Sequence, residues 1–115
     1  MKILVVEDDP EHLLALGDGL TGLGAEVLLT GSGREAIEVA AKFEPDAVLV
    51  DVMLPDINGI TLANVLRGLA GDKVRIVALT GSDPEKMRSA LERSLFDDYL
   101  AKPAPLISIA LALGC

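Results

Sequence analysis

Five short aliphatic runs most constrain what this chain can fold into: "ILVV" (3–6), "VLL" (27–29), "AVLV" (47–50), "IVAL" (76–79) and "YLA" (99–101). None alternates polar with apolar residues, as a strand with one wet face would. Continuous branched and leucine-rich runs fit strands covered on both faces, the pattern of a parallel sheet. The segments between them carry helix start signals. Asp9-Pro10 and Asp83-Pro84 each set an N-cap acid before a proline at the first helical position, and Ser32 to Glu35 has the spacing of a capping box. The order is therefore βαβαβαβαβα, an open α/β sheet with helices on both faces. Right-handed crossovers leave few topologies, of which strand order 2-1-3-4-5 is a common one.

A chain of 115 residues suits one compact domain, expected to span residues 1–115 with no separate output domain. Half of the residues are hydrophobic but only 3% are aromatic, so the core must be aliphatic. A net charge of −8 argues against non-specific binding to nucleic acid or insertion at a membrane surface. The single cysteine, Cys115, excludes an internal disulfide and fits a reducing, cytoplasmic setting. The start "MKILVVEDD" is not expected to act as a secretory leader, because its short apolar run ends in three acids. No apolar run approaches a membrane span. The first helix holds Gly17, Gly19 and Gly22 inside or near its end, and each interior glycine costs about 1 kcal/mol relative to alanine. Either packing alone holds that helix, or the glycines allow close approach to the sheet.

In a parallel sheet, every strand delivers its C-terminal residues to one edge. Ligands bind in the crevice where the strand order reverses, here between the first and third strands. The first strand delivers Glu7, Asp8 and Asp9, the third Asp51, the fourth Thr80 and the fifth Lys102. Asp9 is explained as the helix cap and is left out of the site. Glu7, Asp8 and Asp51 have no such structural duty. Two like charges about 4 Å apart repel by roughly 4 kcal/mol at an effective dielectric of 20. Three carboxylates in one crevice thus call for protonation or a cation. An all-oxygen set suits Mg²⁺ (or Mn²⁺), which often shares a phosphate, and Lys102 and Thr80 are placed to hold phosphoryl oxygens. These are the parts needed for phosphoryl transfer to an aspartate.

With those residues in view, the chain resembles the receiver domain of response regulators in two-component signalling. "ILVVEDD", "VLVDVMLPDING", "IVALTGSD" and "DDYLAKP" stand in the order and spacing of that family, from Met1 to about Pro105. The resemblance implies a flavodoxin-like (βα)5 fold and a phosphoaccepting switch rather than an enzyme acting on an external substrate. It implies that Asp51 accepts a phosphoryl group from the phosphohistidine of a histidine kinase or histidine phosphotransfer protein. Asp8 is then the direct metal ligand, Glu7 acts through water, and Met53 gives its backbone carbonyl. Thr80 and Lys102 match the family's hydroxyl and lysine, Tyr99 its aromatic switch residue, and Lys102-Pro103 its cis peptide.

Some features stand apart. Ala104 replaces a usual bulky residue, which implies looser packing beneath the last helix. The segment "PLISIALALGC" carries no charged side chain and is too short to span a bilayer. One face of its helix should pack on the sheet, leaving the other for a downstream protein target or a second copy. In the family, the fourth helix, fifth strand and fifth helix form such a face. His12, the only histidine, is expected to be a solvated first-turn residue rather than a metal ligand. Three other functions fit the architecture less well. A flavin carrier needs a hydroxyl- and glycine-rich loop where this chain has "EDDPEH". An aspartyl phosphohydrolase needs a carboxylate where it has Met53. A pseudo-receiver, unphosphorylated and used only for binding, sits poorly with the intact acids and Lys102.

Overall fold

A computed structural model describes residues 1–81 and 95–115. Its elements in chain order are β1 (Lys2–Val6), α1 (Pro10–Gly22), β2 (Glu26–Thr30), α2 (Gly33–Phe43), β3 (Ala47–Asp51), α3 (Gly59–Ala70), β4 (Arg75–Thr80), β5 (Asp98–Ala101) and a C-terminal helix (Leu106–Leu113). The helix start expected at Asp83-Pro84 lies outside the described residues. The strands form one parallel sheet in the order β2-β1-β3-β4-β5, as expected.

The absence of polar alternation in the central runs has a direct cause. Leu4, Val6, Val48, Val50 and Ile76 face a core made with Ala36, Ala40, Leu62 and Leu66 of α2 and α3. Their neighbours Ile3, Val5, Leu49, Val77 and Leu79 face the opposite core, made with Leu16 and Leu20 of α1 and Ile109, Ala112 and Leu113 of the C-terminal helix. Successive side chains of a strand point to opposite faces, so two dry faces demand an unbroken apolar run. The edge strands β2 and β5 are only partly buried.

Helix starts follow the expected chemistry with one shift. Asp9 accepts the Glu11 amide at 3.2 Å, with Pro10 at the first helical position. Ser32 accepts the Glu35 amide at 3.1 Å, but the Glu35 carboxylate reaches the amide of Gly31 (3.3 Å) rather than that of Ser32. Asp56, from the loop after β3, adds a second acid at that helix start through the amides of Gly33 (3.1 Å) and Arg34 (2.9 Å). These two amides hold the Asp56 carboxyl below its ordinary pKa. The loop that follows the site is thereby tied to α2.

Two of the three glycines of α1 stand in close approach to a neighbour, whereas Gly22 has open space beside it. A Cβ on Gly17 would stand 2.9 Å from the Leu29 methyls of β2, and one on Gly19 would stand 2.9 Å from Leu106 of the C-terminal helix. The helix is weak in propensity because it lies tight against two neighbours. Ala104 is half-buried against the α1-side core and also lines an open groove beneath the C-terminal helix. Among the described residues, no helix is long and apolar enough to cross a membrane.

Candidate functional site

The C-terminal edge of the sheet gathers residues that are far apart in the chain. β1 ends at Val6, paired with Val50 of β3, so Glu7 and Asp51 emerge side by side. Asp51 pairs in turn with Leu79 and Thr80 with Ala101, which brings Thr80 and Lys102 to the same edge. The Lys102 amide continues the ladder by donating to the Thr80 carbonyl at 2.8 Å. Glu7, Asp51 and Thr80 are almost wholly buried, whereas Asp8 is exposed.

Carboxylate oxygens of Glu7, Asp8 and Asp51 all lie within 4.8 Å of one another. The Lys102 ammonium stands between two of them, 2.9 Å from Asp51 Oδ2 and 3.1 Å from Glu7 Oε2. Partial burial works to lower the lysine pKa. Hydrogen bonds and charges of Asp51 and Glu7 outweigh it and raise the value above the ordinary one. Lys102 is therefore a fixed cation, one positive charge set among three acids. The donor set fits a hard divalent ion, since three carboxylates converge in one open crevice and oxygen ligands suit Mg²⁺.

The remaining contacts hold these groups in place. The Met53 amide donates to Asp51 Oδ1 at 3.0 Å, which fixes the carboxylate from the loop side, while the Met53 side chain is exposed. That loop turns sharply into α3, where Gly59 donates its amide to the Val52 carbonyl at 3.1 Å. A Cβ on Gly59 would lie 2.6 Å from Val52 Cα, so only glycine fits there. Tyr99 is half-buried on β5 and packs with Phe96 against Val52 and Ala78, immediately beneath the site loop. The Lys102-Pro103 peptide is cis, as expected.

Two residues do more than the sequence indicated. Asp9 caps α1 with its side chain, and its amide also donates to Glu7 Oε1 at 3.2 Å. His12 is not simply solvated: its side chain is 34% exposed and its Nδ1 lies 3.1 Å from Glu7 Oε2. His12 is the third residue after the cap, and helical Cβ atoms tilt toward the N-terminus. A side chain at that position reaches back to the strand tip, a signal present in the spacing from Glu7 to His12.

Residues 3–113 match the family model described as response regulator receiver domain. The response regulator MprA of Mycolicibacterium vanbaalenii is 40% identical over 106 residues, covering 92% of this chain and 46% of the relative. The DNA-binding response regulator MtrA of Mycolicibacterium smegmatis is 41% identical over 103 residues, covering 89% of this chain and 44% of the relative. The chain thus spans about half the length of these relatives. A response regulator structure from Burkholderia pseudomallei, with a phosphorylated aspartic acid, calcium ion and citrate, matches with a TM-score of 0.89 at 30% identity, covering 97% of this chain and 65% of that one. The receiver domain of a Pseudomonas aeruginosa sensor histidine kinase, with magnesium coordinated in its active site cleft, matches with a TM-score of 0.83 at 30% identity, covering 99% and 98%. Sheet order, acidic crevice and a family match over nearly the whole length agree, and this chain belongs to the receiver domains of response regulators, the phosphoaccepting switches of two-component signalling.

Proposed function

We propose that Asp51 is the phosphoacceptor of this receiver domain and that its donor is a phosphohistidine on a kinase or phosphotransfer protein. An Asp51 oxygen attacks phosphorus, the bond from phosphorus to the donor nitrogen breaks, and the imidazole leaves with the electron pair. Glu7, Asp8, Asp51 and the Met53 carbonyl would hold Mg²⁺ or Mn²⁺, which when bound offsets the charge of the carboxylates and the incoming phosphoryl oxygens. The observation that carries this reading is Lys102, whose ammonium joins Asp51 and Glu7 at 2.9 and 3.1 Å. Formation of the acyl phosphate removes a negative charge from that oxygen pair of Asp51 and offers Lys102 a dianionic group instead. The Thr80 hydroxyl, at the end of the neighbouring strand, is the second phosphoryl contact.

The response is a shift between two conformations, with Tyr99 moving as Thr80 engages the phosphoryl group. Its readout lies on the side of β5 and the C-terminal helix, where Ile107 and Leu111 are 62% and 67% exposed. A downstream protein or a second copy of the domain is the partner for that face. The work is self-directed phosphoryl transfer and release, done in the cytoplasm, with no external substrate turned over.

A small acyl phosphate given with and without Mg²⁺ tests the assignment. Intact mass should rise by one phosphate only with the metal, and Asp51→Asn should abolish the gain. A gain that survives Asp51→Asn places the phosphate elsewhere, and no gain under any condition favours a pseudo-receiver that only binds.

A further inference from the structure

We propose that His12 is a positioning residue for the cation site, holding the Glu7 carboxylate through an Nδ1–H hydrogen bond. The inference rests on the cation-site reading above. Glu7 is 2% exposed, so each of its oxygens needs donors from the protein. Oε1 takes the Asp9 amide at 3.2 Å, and Oε2 takes both Lys102 Nζ and His12 Nδ1 at 3.1 Å. A carboxylate oxygen already accepting from an ammonium can only accept from the ring, which assigns the proton to Nδ1.

His12 lines a groove of about 220 Å³ between α1 and the C-terminal helix, together with Ala15, Leu16, Ala104, Leu106 and Ile109. Asp9 and Pro10 fix the start of α1, and His12 follows at the third helical position. The imidazole is therefore placed by the helix start, at the rim of an apolar groove, and its one polar contact among the described residues is Glu7.

Its importance grows when Lys102 is drawn away. Lys102 divides itself between Glu7 and Asp51, and a phosphoryl group on Asp51 competes for it. Once Lys102 turns to that group, Oε2 keeps His12 as its remaining side-chain donor among those seen here. Loss of both would leave a buried charged oxygen without a partner, at a cost that displaces the carboxylate. His12 thus keeps Glu7 in register with Asp8 and Asp51 in either state of Lys102. Outer-shell hydrogen-bond partners of a metal site act on metal affinity by about 10–100-fold.

The experiment is Mn²⁺ binding by the unphosphorylated full chain, followed by the magnetic-resonance signal of the free ion, for wild type, His12→Leu and His12→Asn. Leucine keeps comparable bulk at the groove's rim without a donor, and asparagine restores a donor near the Nδ1 position. The expected result is a loss of at least about tenfold in affinity for His12→Leu, with His12→Asn within about threefold of wild type. Equal affinity in His12→Leu, or His12→Asn as weak as His12→Leu, overturns the proposal. Nitrogen NMR of the neutral ring in wild type needs no variant: an Nδ1–H tautomer is expected, and an Nε2–H tautomer overturns it. Absence of Mn²⁺ binding by wild type overturns the cation-site reading as well, whereas binding that His12→Leu leaves intact overturns the role of His12 alone.

Discussion

Lys102 Nζ and Asp51 Oδ2 stand 2.9 Å apart, although 51 residues separate them in the chain. The same ammonium reaches Glu7, so two buried acids depend on one cation. Lys102→Met should therefore cost about 1–3 kcal/mol, less than for a fully enclosed pair because the lysine keeps some contact with water. Mg²⁺ should raise the unfolding temperature more in this variant than in wild type, since a bound cation replaces the missing charge. Thermal unfolding with and without Mg²⁺ reads both effects. Equal metal stabilisation of the two proteins would contradict the shared-charge account. The raised lysine pKa sets the alkaline limit: the pairing is fully present below the ordinary value of 10.5 and is lost as pH climbs through the higher folded value.

Gly59 and Val52 form the tightest backbone approach near the site. In Gly59→Ala the new Cβ would meet Val52 Cα at 2.6 Å and the Val52 carbonyl oxygen at 3.0 Å. Backbone atoms cannot step aside as a side-chain end can, so a loss of about 1–3 kcal/mol is expected. Gly68 of the same helix has nothing within 4 Å of its missing Cβ. Gly68→Ala should instead stabilise by up to about 1 kcal/mol through helix propensity. Urea unfolding of the two variants should move the midpoint in opposite directions, and a shared direction would sink the packing argument.

At the opposite end of the sheet, Asp97 Oδ2 accepts the Ile76 amide at 2.7 Å and Arg67 Nη2 at 2.8 Å. Partial burial pushes this carboxyl upward, and the amide and guanidinium outweigh it, so its pKa lies below the ordinary 3.8. A lowered folded pKa contributes stability that is complete above the unfolded value and is lost as pH falls through the folded one. Urea midpoints measured from pH 7 to pH 3 should therefore fall less steeply in Asp97→Asn than in wild type. Parallel acid limbs for the two proteins would show that Asp97 contributes nothing to acid sensitivity.

The sequence by itself determined the five strands, their parallel arrangement and the identities of the acids, hydroxyl and lysine at one edge. Each is a local property: unbroken apolar runs mark strands dry on both faces, and the residue after each run is delivered to the same end. The sequence also carried the Asp9 and Ser32 caps, whose partners lie within three residues. Only tertiary structure decided which donors each carboxylate receives. The second acid at α2 comes from Asp56, 23 residues beyond Gly33, and no local pattern announces it. Gly17 and Gly19 could be read as weakness until Leu29 and Leu106 were seen against them. His12 could be read as wet until Glu7 Oε2 was found 3.1 Å from its Nδ1. Hydrogen-bond satisfaction of a buried group is settled by whatever the fold brings near it, and for Glu7 that meant a helix, a backbone amide and a lysine 95 residues away.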